Sequence, residues 1–392
     1  MISRDELKQR VIAELDRRKD ELIEVSLRIH ANPEVAFQEE KAAAWLSQYL
    51  EDNGFSLERG ICQIPTAFRA SYGHGQPRVA LLAEYDALPG IGHGCGHNII
   101  GTASVAAALA AKAVADEAGG TVLVIGTPAE EAAGGKVYMA ARGAFDGLDC
   151  AMLAHPGNRD VAISFALACI ELDVEYFGRA AHAAARPEAG LNALDALIIA
   201  FSSLGLLRQQ LRDSARVHGI ITDGGQAVNV IPHHAAASLL VRAEDDDYLE
   251  ELRQKVLACF RAAAEASGCR LEFHWGEESR YKAMRSNRSL AQAYQRNIEA
   301  LGRTVVDTEA RRFMGSTDMG NVSAIVPAIH PTISIAPPDI PIHTEEFREI
   351  AASEAGHQGL LDSAKVLAMT AVDVLTDAEL RQRMWEEFQS GN

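Results

Sequence analysis

Three short apolar runs constrain this chain more than any other feature. Residues 78–83 (RVALLA), 121–125 (TVLVI) and 150–153 each read as a buried strand. Each ends on side chains that bind metals or move protons: Glu84-Tyr85-Asp86 after the first, Glu130-Glu131 after the second, His155 after the third. A long helical stretch over about 98–116 and a second one within 131–143 separate the runs. Strands alternating with helices specify a largely parallel sheet covered on both faces. In open sheets of that kind, sites form beyond the carboxyl ends of the strands. Acids and a histidine from three distant segments are therefore expected to face one crevice.

The alternation is interrupted in the middle. Residues 170–177, 217–222, 236–243 and 271–274 read as strands, with helices over 191–210 and 248–266. The order βαββαβ is that of a ferredoxin-like sandwich. The expected organisation is an inserted domain over residues 166–280, with a catalytic domain formed by 1–165 and 281–392. A helix over 289–301, a strand over 332–335 and a helix over 363–375 resume the first pattern. At 392 residues the chain suits two cores rather than one.

Charge limits the partners. The formal net charge is −17, and there is no long Lys/Arg run. Such a surface repels nucleic acid and anionic membranes. The most apolar stretch, residues 102–115, is too short to span a bilayer, and the charged, helical N-terminus is not a signal peptide. A cytoplasmic location is expected. Six scattered cysteines then read as thiols rather than a disulfide framework.

One cysteine stands apart. His93-Gly94-Cys95-Gly96-His97 packs a thiol and two imidazoles into five residues. These are donors for zinc or a similar transition metal, and the flanking glycines let the backbone come close to an ion. The bland alternative is a surface loop with an incidental cysteine. Glu130-Glu131 also has a bland alternative, a solvated helix start after Pro128. After a buried strand and beside a Cys/His loop, one of the two can instead ligate a metal while the other handles a proton. His182 and His343, taken singly, are ordinary surface histidines.

Eight motifs in order, AEYDALPG, GHGCGHN, GTPAEEAAGGK, LAHPG, GRAAHAAARPEAGLNALDA, AVNVIP, GSTDMGNVS and PIHTEEF, span residues 83–347. With them the chain resembles the aminoacylase, carboxypeptidase and aminobenzoyl-glutamate hydrolase family of dinuclear metallopeptidases. The Cys-Gly-His form is most similar to the branch containing aminobenzoyl-glutamate hydrolase subunits and β-alanyl-lysine-type dipeptidases. The resemblance implies a zinc-exopeptidase-like catalytic domain with an inserted lid and dimerisation domain, and two divalent ions per chain, zinc or manganese. Cys95 would bridge the ions, His97 and His155 would complete one site, and Glu131 and His343 the other. Glu130 would be the general base and acid, and Asp86 would orient a ligand histidine. His182 would stabilise the oxyanion, in dimeric relatives at the partner's site, while Asn229 and Arg242 would hold the substrate carboxylate. Ser316 and Thr317 would line the pocket. The implied activity is cleavage of the amide bond in small acyl-amino acids or dipeptide-like substrates, with a dipeptidase or carboxypeptidase as the alternative within the family and a non-catalytic binding protein as the alternative outside it. Two departures stand out: Asn98 replaces an Asp common after Cys-Gly-His, and the segment between Pro89 and His93 is short.

Overall fold

The computed structural model describes residues 2–132, 134–306 and 315–391. The chain forms two compact units, one of Met1–Phe165, Met284–Phe313 and Thr317–Asn392, the other of Ala166–Ala283 and Met314–Ser316.

In the first unit, helices α1 (Arg4–Arg17), α2 (Lys19–His30) and α3 (Glu40–Asp52) precede strands β1 (Ser56–Arg59), β2 (Phe68–His74) and β3 (Arg78–Ala83). Helix α4 (His97–Ala118), strand β4 (Gly120–Gly126), helix α5 (Gly135–Ala141) and strands β5 (Cys150–Met152) and β6 (His155–Gly157) follow. The second unit contributes β7 (Ala168–Phe177), α6 (Ala193–Leu207), β8 (Arg216–Asp223), β9 (His234–Ala243), α7 (Asp246–Ser267) and β10 (Arg270–Trp275). The chain then returns through α8 (Arg288–Ala300), α9 (Met319–Ser323), β11 (Ala328–Ile329), β12 (Thr332–Ser334), α10 (Glu345–Ala351), α11 (Glu354–Thr376) and α12 (Ala378–Ser390).

The main sheet of the first unit has the order β1-β2-β4-β3-β5-β11. The pairings β4/β3, β3/β5 and β5/β11 are parallel; β1/β2 and β2/β4 are antiparallel. The sheet is thus mainly parallel, with an antiparallel hairpin on one side that the sequence did not announce. Segments SLER and FRASYGH lack both an apolar run and strict alternation, and the outer strand is exposed. β3 and β4 are buried on both faces, which is why they read as continuous apolar runs. Helix α4 lies against them. Its alanines let it pack closely on α1 and α11. By length and composition alone it would cross a membrane, since it is longer than the apolar run within it, but 89% of its most apolar window is buried inside the fold.

The second unit is a four-stranded antiparallel sheet in the order β10-β7-β9-β8, with α6 and α7 packed against it. Strand β7 alternates strictly, Ile170, Leu172, Val174 and Tyr176 inward and Glu171, Asp173 and Glu175 outward. The order and connections are those of a ferredoxin-like α+β sandwich.

Candidate metal centre

The candidate ligands lie in segments that follow the parallel strands of the first unit. Cys95 lies in the turn before α4, and His97 is the first residue of that helix. Gly96 makes this turn with φ +73°, and a Cβ there would sit 3.0 Å from Pro156 Cγ, so any other residue would be strained here. Glu130 and Glu131 follow β4, His155 opens β6, and His343 precedes α10.

Ligand atoms of Cys95, His97 and His155 all lie within 4.8 Å of one another, as do those of Cys95, Glu131 and His343, and those of His97, Glu130 and Glu131. Cys95 belongs to two of the groups and so stands between them. The five residues singled out as ligands are therefore brought together, with Glu130 beside them. His93 is not in any of these groups; it is buried and stacks on His30.

Asp86 ties two of the groups. His97 Nδ1 donates to Asp86 Oδ1 at 3.0 Å, and the Glu131 backbone N–H donates to Asp86 Oδ2 at 2.9 Å. The first bond fixes the ring so that Nε2 faces Glu131 Oε1 at 3.7 Å. Neither of those two buried atoms has a hydrogen-bond partner among the described residues. A buried imidazole nitrogen and a buried carboxylate oxygen left without such partners are groups that a bound cation would satisfy. His155 is oriented likewise, its Nδ1 donating to the Pro156 carbonyl at 2.6 Å. Burial pushes the Cys95 thiol well above its ordinary range, so a thiolate there needs a cation beside it. The donor set fits divalent transition ions, and no other cluster of three such donors occurs among the described residues.

The carboxylates after β4 are not a helix start. Helix α5 begins at Gly135, and Glu130 and Glu131 occupy the turn before it. A Cβ on Gly135 would meet the Pro128 carbonyl oxygen at 1.8 Å, so the chain doubles back tightly here. Burial, then Glu84 and Asp318, push the Glu130 carboxyl well above the usual range. A raised carboxylate suits a group that must both take and return a proton.

Behind Glu130 lies an arrangement that the sequence did not reveal. Lys136 is fully buried, and its ammonium contacts Glu84 Oε1 and Asp318 Oδ1, each at 2.6 Å. Its backbone N–H donates to Asp318 Oδ2 at 2.9 Å. Burial works most strongly against the Glu84 carboxylate, but the Lys136 charge together with His97, His330 and His155 outweighs it and brings the group down to about 2. A lysine after two glycines reads as a surface residue, and only the fold places it among carboxylates. His330, given no role from sequence, stacks edge-on against His155 at 5.4 Å. Asn98 turns to structural work: its amide donates to Ser26 Oγ at 2.9 Å, and it belongs to none of the ligand groups.

The remaining expected residues lie elsewhere. Thr317, in the first unit, is buried and accepts from the Met319 N–H. In the second unit, His182 is exposed, and its Nδ1 accepts from the N–H groups of Ala184 and Ala185. Asn229 lies next to it, its carbonyl accepting from Ala183 N–H at 3.0 Å. Arg242 donates to Ser316 Oγ at 3.1 Å, and it pairs with Cys169 at the other end of β9.

Comparison with known proteins places the chain among peptidases and related hydrolases. The family described as Peptidase family M20/M25/M40 matches residues 80–365. Xaa-Arg dipeptidase of Mus musculus is 39% identical, covering 98% of this chain and 92% of its own. One of the subunits of p-aminobenzoyl-glutamate hydrolase from Escherichia coli (strain K12) is 30% identical, covering 96% and 93%. Among solved structures, a dinuclear metal binding peptidase of the M20 family from Bacillus subtilis superposes with a TM-score of 0.73 at 19% identity, covering 92% of this chain and 99% of that one.

Proposed function

This chain belongs to peptidase family M20/M25/M40 and is a metal-dependent hydrolase of amide bonds, and from that premise we propose that it cleaves small dipeptides or acyl-amino acids as a homodimer carrying two divalent ions per subunit. The observation that carries the proposal is the pair of ligand groups sharing Cys95. Cys95, His97 and His155 would hold one ion, and Cys95, Glu131 and His343 the other. Zinc and manganese are the ions that suit a thiol, imidazole and carboxylate set.

When bound, the ions supply an acidified water and polarise the scissile carbonyl. The protein's own residues do the rest. Glu130 takes the proton of the attacking water and delivers it to the leaving amine. Its raised affinity for a proton matches both halves of that task. Asp86 keeps His97 and Glu131 in place throughout. Arg242 pairs with the substrate carboxylate, for which its forked donors are shaped.

His182 and Asn229 serve the partner's site in this proposal. They sit together at one end of the second unit, whereas Arg242 is eight strand residues beyond His234 on β9. That separation is about 26 Å at the rise of an extended strand. One small substrate does not reach from Arg242 to the Asn229 of the same unit, and a second copy removes the conflict. Strand β8 forms an edge of its sheet and exposes Ile220 (66%), while α6 exposes Leu206 (77%) and Ile198 (51%). An unpaired edge with apolar neighbours favours a self-complementary interface. All six cysteines are free, which fits work in the reducing cytoplasm.

The dipeptide branch is favoured by the likeness to Xaa-Arg dipeptidases over nearly the whole chain. The test is elemental analysis of purified protein and of a Cys95→Ser variant, followed by a panel of dipeptides, acetyl-amino acids and aminobenzoyl-glutamate. About two divalent ions per chain, fewer in the variant, with turnover of dipeptides, is the expected result. Failure to take up zinc or manganese would overturn the assignment of the site.

A further inference from the structure

The turn that presents Glu130 and Glu131 rests on backbone that an L-residue seldom adopts. Ala129 is fully buried with φ +64°. In a separate segment, Phe37 has φ +60°. The N–H groups of both residues donate to one atom, Glu39 Oε1, at 2.9 Å each. Glu39 is itself fully buried, at the residue that precedes α3. Burial pushes its carboxyl up to about 7, and the backbone N–H groups and the Thr66 hydroxyl oppose that rise.

Two further bonds hold described residues of the turn. The Ala129 carbonyl accepts from Gly135 N–H at 3.1 Å, and Glu131 N–H goes to Asp86. Asp86 also holds His97, so its loss would disturb the ligands directly. Glu39 Oε1 accepts from the Ala129 N–H in the turn and the Phe37 N–H outside it, and neither partner is a proposed ligand. It is a carboxylate kept in the interior to fix the two left-handed residues that the local sequence does not favour.

We propose that Glu39 is a positioning residue for amide hydrolysis, its Oε1 pinning the left-handed Ala129 so that Glu130 and Glu131 project from a fixed turn. This rests on the roles given above to those two carboxylates. With Ala129 released, the turn relaxes toward ordinary backbone and the base moves off its line.

The experiment measures kcat and KM at saturating metal for Glu39→Ala, Glu39→Gln and Glu39→Asp, each with and without Ala129→Gly. Displacement of a catalytic group by about 1 Å costs on the order of 100-fold. Glu39→Ala is expected to lower kcat by roughly that factor, with KM little changed. Glu39→Gln keeps an oxygen in place and should stay within about threefold of the parent, since the amide oxygen accepts the same two bonds. Glycine takes a left-handed conformation freely, so Ala129→Gly in the Glu39→Ala background should restore kcat by about tenfold. A residue needed only for folding gives no such recovery. If Glu39→Ala does not yield folded protein, Glu39→Asp keeps the charge but loses the reach and should show the same loss and the same recovery. Unchanged kcat in Glu39→Ala or Glu39→Asp, equal damage in Glu39→Gln, or no recovery with glycine would overturn the proposal. A Glu130→Gln enzyme with full turnover would instead overturn the role of Glu130 while leaving the glycine recovery intact.

Discussion

Replacing Lys136 with methionine tests whether the charges behind the metal centre are held as described. The substitution keeps an unbranched side chain only slightly shorter and removes the ammonium with its charge and donors. In the parent, the ammonium lies 2.6 Å from both Glu84 and Asp318, and all three side chains are fully buried. Methionine leaves two carboxylates facing each other without a counter-charge. Breaking a buried ion pair by removing one partner costs about 3–5 kcal/mol. For a unit of this size, that lowers the midpoint of thermal unfolding by roughly 6–20 °C. The pH dependence sharpens the test. In the parent, Glu84 is depressed from its ordinary 4.5 to about 2, so its stabilisation is present above about 4.5 and is lost as pH falls through about 2. In the variant the same carboxyl is raised, so its destabilisation grows as pH rises and eases once a proton is taken up. Calorimetry of the metal-loaded proteins at pH 8 and pH 5 should show a larger deficit at pH 8. Adding Asp318→Asn to Lys136→Met should recover part of it, because one of the two opposed charges is gone. A Lys136→Met protein unfolding within about 2 °C of the parent at pH 8 would refute the reasoning.

Other expectations concern chemistry and assembly. Glu130→Gln should keep its metal content and lose at least about 100-fold in kcat, checked by elemental analysis beside steady-state kinetics. Asp86→Ala frees both His97 and the Glu131 backbone and should weaken metal binding by about 10–100-fold in a chelator competition, with the rest of the fold intact by circular dichroism. Mixing unfolded and refolded Glu130→Gln and His182→Ala subunits in equal amounts should restore about a quarter of parental activity, since half the dimers are mixed and each has one complete site; inactivity of the mixture would show that His182 does not act across the interface. Asn98→Ala should lower stability by about 1–3 kcal/mol in urea titration, through the loss of its bond to Ser26, and leave kcat nearly unchanged.

Much of this protein is legible in its residues. RVALLA and TVLVI are buried strands because a parallel sheet covered on both faces permits only apolar side chains there, and the run itself states it. The alternation of β7 and the βαββαβ order give the second sandwich for the same kind of local reason. Candidate ligands were partly legible too: Cys95 and His97 share a glycine-rich loop, and Glu131 and His155 follow buried strands, whereas His343 taken singly was a surface histidine and entered only through the family resemblance. What the tertiary structure alone decided is which groups share an interior. Lys136, Glu84 and Asp318 lie up to 234 positions apart, and although Glu84 follows a buried strand, nothing in the sequence pairs it with a buried lysine. The same holds for Glu39, which in sequence is one of two adjacent acids before a helix and in space bonds a turn ninety residues away. Periodicity reports what a residue's neighbours in the chain require of it. The cost of burying a charge, and the partner that offsets it, depend on what the fold brings within about 3 Å, and that is set only when the whole unit closes.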